Sequence, residues 1–212
     1  MDELPGKRRR ATAEETRERI LDSAAEVLRR SGLAQARTKE IARVAGYSEA
    51  TLYKHFDDKT DLLLAVMRHR FPPFVDVLAE LPTRVGHGQV RETLTEVTAK
   101  AVRFFEHGSP LLGSLFADPE LLRRHRENML QRGAGPFNVN RALADYLRAE
   151  RDLGRIRPDT DPEAVSSLLV GACFQRGFFE AFSGGLEGFP PVERFTADLV
   201  AAALPHGPGE PS

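Results

Sequence analysis

An all-α fold in two parts is predicted by three features of this 212-residue sequence. Apolar residues recur at three- and four-residue spacing in segment after segment, with no strand-like alternation of useful length. The periodic segments are bounded by helix-starting and helix-stopping residues, among them a T-x-x-E box at Thr12, Asp-Pro pairs at Asp118 and Asp161, and well-placed glycines. The Pro72-Pro73 pair then separates short, closely spaced segments from longer ones. No internal repeat is evident, and about nine helices are expected.

The first helix follows Thr12 and Glu15, carries Ile20, Leu21, Ala24, Val27 and Leu28 on one face, and ends at Gly32. Thr38 is placed to cap a second helix, whose apolar face is Ile41, Ala42, Val44 and Ala45 and whose end is Gly46. After a turn of three or four residues, Ser48 caps a third helix. Leu52 and Phe56 point to its core side, leaving Glu49, Ala50, Thr51, Tyr53, Lys54 and His55 outward. Asp57 or Asp58 caps a fourth helix that starts at Lys59 and carries Leu62, Leu63, Val66 and Met67. Two short helices joined by so tight a turn have the spacing of a helix-turn-helix, in which one helix crosses a DNA backbone and the next enters the major groove.

Beyond the proline pair, a helix from Gln89 to Glu106 is expected to stop at Gly108 and Pro110, followed by a short helix near Leu111 to Phe116. Asp118 and Pro119 start a charged helix reaching Gln131, and Asn138 to Leu153 forms another, with Val139, Leu143, Tyr146 and Leu147 on one face. The helix opening at Asp161-Pro162 is apolar on more than one side and must be covered on several faces. A last helix, Val192 to Leu204, spaces Val192, Phe195, Leu199 and Ala203 almost as heptads.

Composition narrows the function. An apolar content of 41% supplies a core, the single Cys173 excludes an internal disulfide framework, and no run of about 18 apolar residues or leading apolar segment appears, so a cytoplasmic protein without membrane contact is expected. Net charge is -1, but residues 1 to 56 hold twelve Lys or Arg against nine Asp or Glu, and Lys7, Arg8, Arg9 and Arg10 form a basic arm ahead of the first helix. His69, His107 and His125 lack partners at metal-ligand spacing, and no nucleophile elbow such as G-x-S-x-G occurs, so no metal, cofactor or catalytic residue is assigned. Cys173 reads as a buried structural thiol.

The stretch from Ile20 to Leu63, ILDSAAEVLRRSGLAQARTKEIARVAGYSEATLYKHFDDKTDLL, resembles the DNA-binding domain of the tetracycline-repressor (TetR) family. T-x-E-I-A, A-G-Y-S, T-L-Y-x-H-F and the following D-K are each modest signals, and their joint occurrence at these spacings is specific. The resemblance implies four segments: a mobile arm at 1–12, a helix-turn-helix domain at 13–73, a ligand-binding and dimerisation domain at 74–205, and a tail at 206–212. It also implies that Tyr53 bonds a phosphate of an operator in double-stranded DNA, with Thr38, Ser48, Thr51, His55 and Lys59 as further backbone contacts. Glu49, Ala50 and Lys54 match base-facing positions, although the family often carries a basic residue and a glycine where this chain has Glu49 and Ala50. Lys54 suits guanine O6 or N7, Glu49 cytosine N4, and Ala50 a thymine methyl.

For the C-terminal part the resemblance implies a cavity for an apolar or amphipathic small-molecule effector. Phe104, Phe105, Phe116, Phe137, Tyr146, Phe174 and Phe178 are candidate lining residues, and Gln175 and Arg176 are polar candidates beside them. One helix-turn-helix reads few base pairs, so a homodimer is expected, with Leu168, Val192, Phe195 and Leu199 in its seam. The function expected is thus a ligand-responsive repressor. A ligand-independent activator or global regulator remains an alternative, and so, further off, does an α-helical enzyme.

Overall fold

Thr12 opens the first helix as a capping box: its hydroxyl accepts from the Glu15 N–H at 3.2 Å, and the Glu15 carboxylate accepts from the Thr12 N–H at 2.7 Å. In the computed structural model, which describes residues 12–70, 74–133 and 135–204, the helix from this box is α1, Ala13–Gln35. The expected stop at Gly32 appears inside it as a break, with φ 71°. The basic arm, the Pro72-Pro73 pair and the C-terminal tail lie outside the described residues. The chain forms two compact units, Met1–Phe71 and Pro72–Ser212.

In the first unit, α1 packs on α2 (Thr38–Ala45) and α4 (Lys59–His69), while α3 (Glu49–Leu52) packs on α2. Ile20, Leu21, Val27, Ile41, Leu52, Phe56 and Leu62 fill the space between them and are almost fully shielded from solvent. Burial of each such side chain is worth about 1.5–3 kcal/mol. Arg70, just past α4, ties that helix to α1: its Nη2 donates to the Glu18 carboxylate at 2.5 Å and its Nε to Asp22 at 2.7 Å. The third helix is shorter than the sequence suggests. Beyond Leu52 the chain tightens, with Lys54 and His55 N–H groups donating to the carbonyls of Thr51 and Leu52 three residues back.

The second unit comprises α5 (Val75–Arg84), α6 (Val90–Ala117), α7 (Pro119–Gln131), α8 (Pro136–Asp152), α9 (Pro162–Ser183) and α10 (Val192–Ala203). Its centre is the pair α6 and α9, with α8 against α9 and α10 against both. Leu94, Val97, Val102, Leu143, Tyr146, Leu147, Leu169 and Cys173 form the core. Two expectations fail here. α5 is an element the sequence analysis does not include; Val77, Leu78 and Leu81 bury one of its faces while Pro82 stays exposed in its final turns. Likewise α6 does not stop at Gly108 and Pro110, and the separate helix at Leu111 to Phe116 is its continuation. Packing along α9 outweighs a proline penalty of about 3 kcal/mol. Ten helices, rather than about nine, result among the described residues.

Two buried polar groups find partners on other segments. Glu150, fully buried on α8, accepts from the Gly86 N–H at 3.0 Å and pairs with Arg155 at 3.1 Å, fixing the connection between α5 and α6. The Cys173 thiol lies 3.6 Å from the Thr98 carbonyl, and burial pushes its pKa up to about 12. Such a thiol stays protonated and unreactive.

Candidate nucleic-acid interface

Local chemistry builds the turn between α2 and α3. Gly46 closes α2 in the left-handed region, φ 77°, where a side chain would be strained, and the Tyr47 N–H reaches back to the Ala42 carbonyl at 2.9 Å. Tyr47 is covered by the Arg19 guanidinium, 5.8 Å from the ring centre. Ser48 caps α3 as its position predicts, accepting from the Thr51 N–H at 3.1 Å, and its hydroxyl also meets that of Thr51 at 2.9 Å. Asp58 caps α4 through the Asp61 N–H at 2.7 Å, which sets Lys59 at the first position of that helix.

Thr38 departs from its expected role. The cap of α2 is Arg37, with no side-chain cap bond, and Thr38 is already helical. Its hydroxyl instead donates to the Glu49 carboxylate at 2.5 Å across the turn, and the Tyr53 hydroxyl in turn donates to Thr38 Oγ1 at 3.4 Å. Tyr53, Thr38 and Glu49 therefore form one chain of hydroxyl donors ending on a carboxylate. Tyr53 remains 47% exposed, a large aromatic only partly covered by its own unit. Ser48, Ala50 and Lys54 are exposed beside it, and Thr51, His55, Glu49 and Lys59 are half-buried. The exposed Arg37 and Lys39 at the start of α2 add positive charge that the sequence reading passed over. Their signal was available: two basic residues at the opening of the helix that precedes the turn.

In the second unit the expected lining residues scatter. Tyr146 belongs to the core at 2% exposure, packed with Leu143 and Leu147. Phe116 and Phe137 are exposed near the ends of their helices and do not line a common enclosed space with it. Phe104 and Phe105 join Phe74 and Phe174 in an aromatic row, with successive ring centres 5.3 to 5.5 Å apart. Surface grooves between α8 and α9, at Asn140, Asp145 and Glu163, and between α6 and α10, at Arg91 and Glu193, contain none of the seven aromatics. Arg176 is buried, donating to the Pro190 carbonyl at 3.0 Å, pairing with Glu106 at 3.5 Å and lying over Phe195, so it serves the fold while Gln175 faces solvent.

The seam residues also divide. Val192, Phe195 and Leu199 are half-buried against the chain's own core, with part of each side chain still exposed. Leu168 is 59% exposed, and Phe178 and Phe182 follow it on the same outward side of α9.

A cap, a left-handed glycine turn and a short second helix with a polar outer face define a helix-turn-helix DNA-binding protein. Residues 20–66 match the bacterial regulatory proteins of the tetR family. The chain is 27% identical to the HTH-type transcriptional regulator UidR of Escherichia coli over 190 residues, 82% of this chain and 94% of that one. It is 44% identical to the HTH-type transcriptional regulator SrpR of Pseudomonas putida over 63 residues, 30% of each chain. A TetR-family regulator from Mesorhizobium loti shares the fold, with a TM-score of 0.68, 20% identity, and coverage of 92% of this chain and 97% of that one. FadR of Bacillus subtilis, solved with stearoyl-CoA, shares it at a TM-score of 0.62, 16% identity, and 89% and 97% coverage. Residues 20–66 thus carry a helix-turn-helix domain of the TetR type, and the enzyme reading is set aside because the matched family and these sequence relatives are transcriptional regulators.

Proposed function

We propose that this regulator is a cytoplasmic, homodimeric repressor that leaves its operator when an apolar or amphipathic small molecule binds its C-terminal unit. The supporting observation is the aromatic row from Phe74 through Phe104 and Phe105 to Phe174, whose last ring is 44% exposed and offers an apolar surface at the end of a packed stack. The stearoyl-CoA bound to the Bacillus subtilis FadR, a protein of the same fold, supports the same chemical class of ligand. In the first unit, Tyr53, Thr38, Ser48, Thr51, His55 and Lys59 contact phosphates, while Glu49, Ala50 and Lys54 face bases.

The test is operator affinity with and without a panel of acyl-coenzyme A thioesters and fatty acids. Linkage requires that a compound lowering operator affinity be itself bound less tightly, by the same factor, when operator is present. Compounds that bind equally with and without operator would overturn the release mechanism. The dispersal of the seven aromatics favours a second reading, a regulator with no small-molecule ligand, and that reading predicts no binding across the panel.

A further inference from the structure

We propose that Glu49 makes this protein select cytosine at one operator position, and that Thr38 couples this selection to phosphate binding. The inference rests on the reading of α2 and α3 as the face that meets DNA. Each hydroxyl has a single proton. That of Tyr53 lies toward Thr38 Oγ1, and that of Thr38 lies on Glu49 Oε1. Two of the neutral donors expected on the phosphates, Tyr53 and Thr38, are thus turned inward in the free protein, and their chain ends on a carboxylate. Among the described residues no Lys or Arg comes within ion-pair distance of Glu49, so Thr38 is its one side-chain partner there.

Binding to a phosphate requires Thr38 to rotate its proton outward, with no proton leaving its oxygen. Glu49 then loses its donor in the water-poor space between α3 and the bases, and a carboxylate left without one there is strongly disfavoured. A base amino group restores it. Cytosine offers N4–H with only a C–H on its open side, whereas adenine sets the N7 acceptor next to N6, and guanine O6 and thymine O4 present acceptors to the carboxylate. A wrong base therefore fails to replace the hydrogen bond that phosphate binding removes. Specificity at this position comes from the exchange of donors, and Thr38 competes with the base for Glu49.

The experiment uses the full-length protein and its E49A, E49Q and T38V variants, with folding checked by thermal melts. Each is used to select duplexes from a random-sequence library, and is then titrated with the best duplex and its single-base changes. The wild type is expected to favour cytosine at one position by about tenfold. E49A should reduce that preference to within twofold, keep the other positions, and bind unrelated DNA more tightly because a negative charge is gone. E49Q, which keeps the size and can still accept from Thr38, should also relax the position, since its amide both donates and accepts. T38V should bind every duplex more weakly yet keep the cytosine preference at wild-type strength or above. An E49A motif identical to the wild-type motif overturns the proposal and leaves the DNA-binding face intact. Loss of the preference in T38V overturns the exchange, because Thr38 would then be holding Glu49 in place rather than competing for it. A wild type that selects no sequence overturns both this proposal and the reading of α2 and α3.

Discussion

Gly177 on α9 lies directly against the backbone of Phe105 on α6: a Cβ placed there would sit 2.6 Å from the Phe105 carbonyl carbon. The two central helices of the second unit thus approach at a point where no side chain fits. Backbone cannot yield as a flexible side chain does, so even a methyl group must push the helices apart. Gly177→Ala is expected to cost about 1–3 kcal/mol. The exposed Gly113, with open space where its Cβ would go, is the control; there alanine should add stability by roughly 0.5–1 kcal/mol. Urea denaturation of the two variants checks the contrast, and equal midpoints would show that the contact does not hold the helices at this spacing.

This contact also shows which parts of the fold were legible in the sequence. Ser48, Gly46 and Asp58 each act on atoms within four or five residues, so the turn and the starts of α3 and α4 could be read from their neighbours. Gly108 and Pro110 read as a stop because each is a breaker locally, and only the packing of α6 on α9 overrides it. Thr38 illustrates the same limit within the site. As a threonine ahead of an apolar-periodic run it suits a cap, and what decided otherwise is a carboxylate eleven residues away. Tyr146 was correctly placed on the face with Leu143 and Leu147, but periodicity does not distinguish a face on solid core from one on a cavity.

Tyr53 and Lys54 are adjacent and exposed, yet they should behave differently. Tyr53→Phe keeps the ring and removes a hydroxyl assigned to a phosphate, so affinity should fall by about 1 kcal/mol on every duplex alike. Lys54→Ala should relax preference at one base position instead. Titrations against a panel of single-base operator changes separate the two, and a position-specific loss for Tyr53→Phe would refute its assignment.

The tie between Arg70 and Glu18 makes part of the first unit's stability depend on pH. The hydrogen bond from Arg70 is the main reason the Glu18 carboxyl titrates below its ordinary 4.5. A lowered folded-state pKa contributes stability that is complete above the unfolded value and disappears as pH falls through the folded one. Arg70→Met should therefore be less stable than wild type at pH 7, by under about 1 kcal/mol for the Glu18 pair because that carboxylate is screened by solvent. The gap should narrow below pH of about 4.5 as Glu18 is protonated in the unfolded chain and then in the folded one. Denaturant titrations of both proteins from pH 7 to 3 read this directly, and a gap that widens toward acid would contradict it.

Assembly gives the last prediction. Leu168, Phe178 and Phe182 leave 59%, 47% and 80% of their surface in contact with solvent along one side of α9, an apolar stripe that a single chain does not cover. α10 differs, since Val192, Phe195 and Leu199 are turned to the chain's own core and its exposed positions are Glu193, Arg194, Ala197, Asp198, Ala201 and Ala202. A two-fold seam would therefore be centred on α9, with the small alanines of α10 letting a second copy approach closely. Leu168→Glu with Phe178→Glu places unpaired charge in such a seam while replacing side chains the monomer already exposes, so the variant should fold, as seen by circular dichroism, and run as a monomer in light scattering. It should also lose tight binding to a palindromic operator, because a single reader contacts only one half-site. Phe195→Glu is the contrasting change: it puts a carboxylate where Arg176 stacks at 4.9 Å against the core, and should lower thermal stability whatever the oligomeric state. A Leu168→Glu, Phe178→Glu protein that is folded and still dimeric would move the interface away from α9.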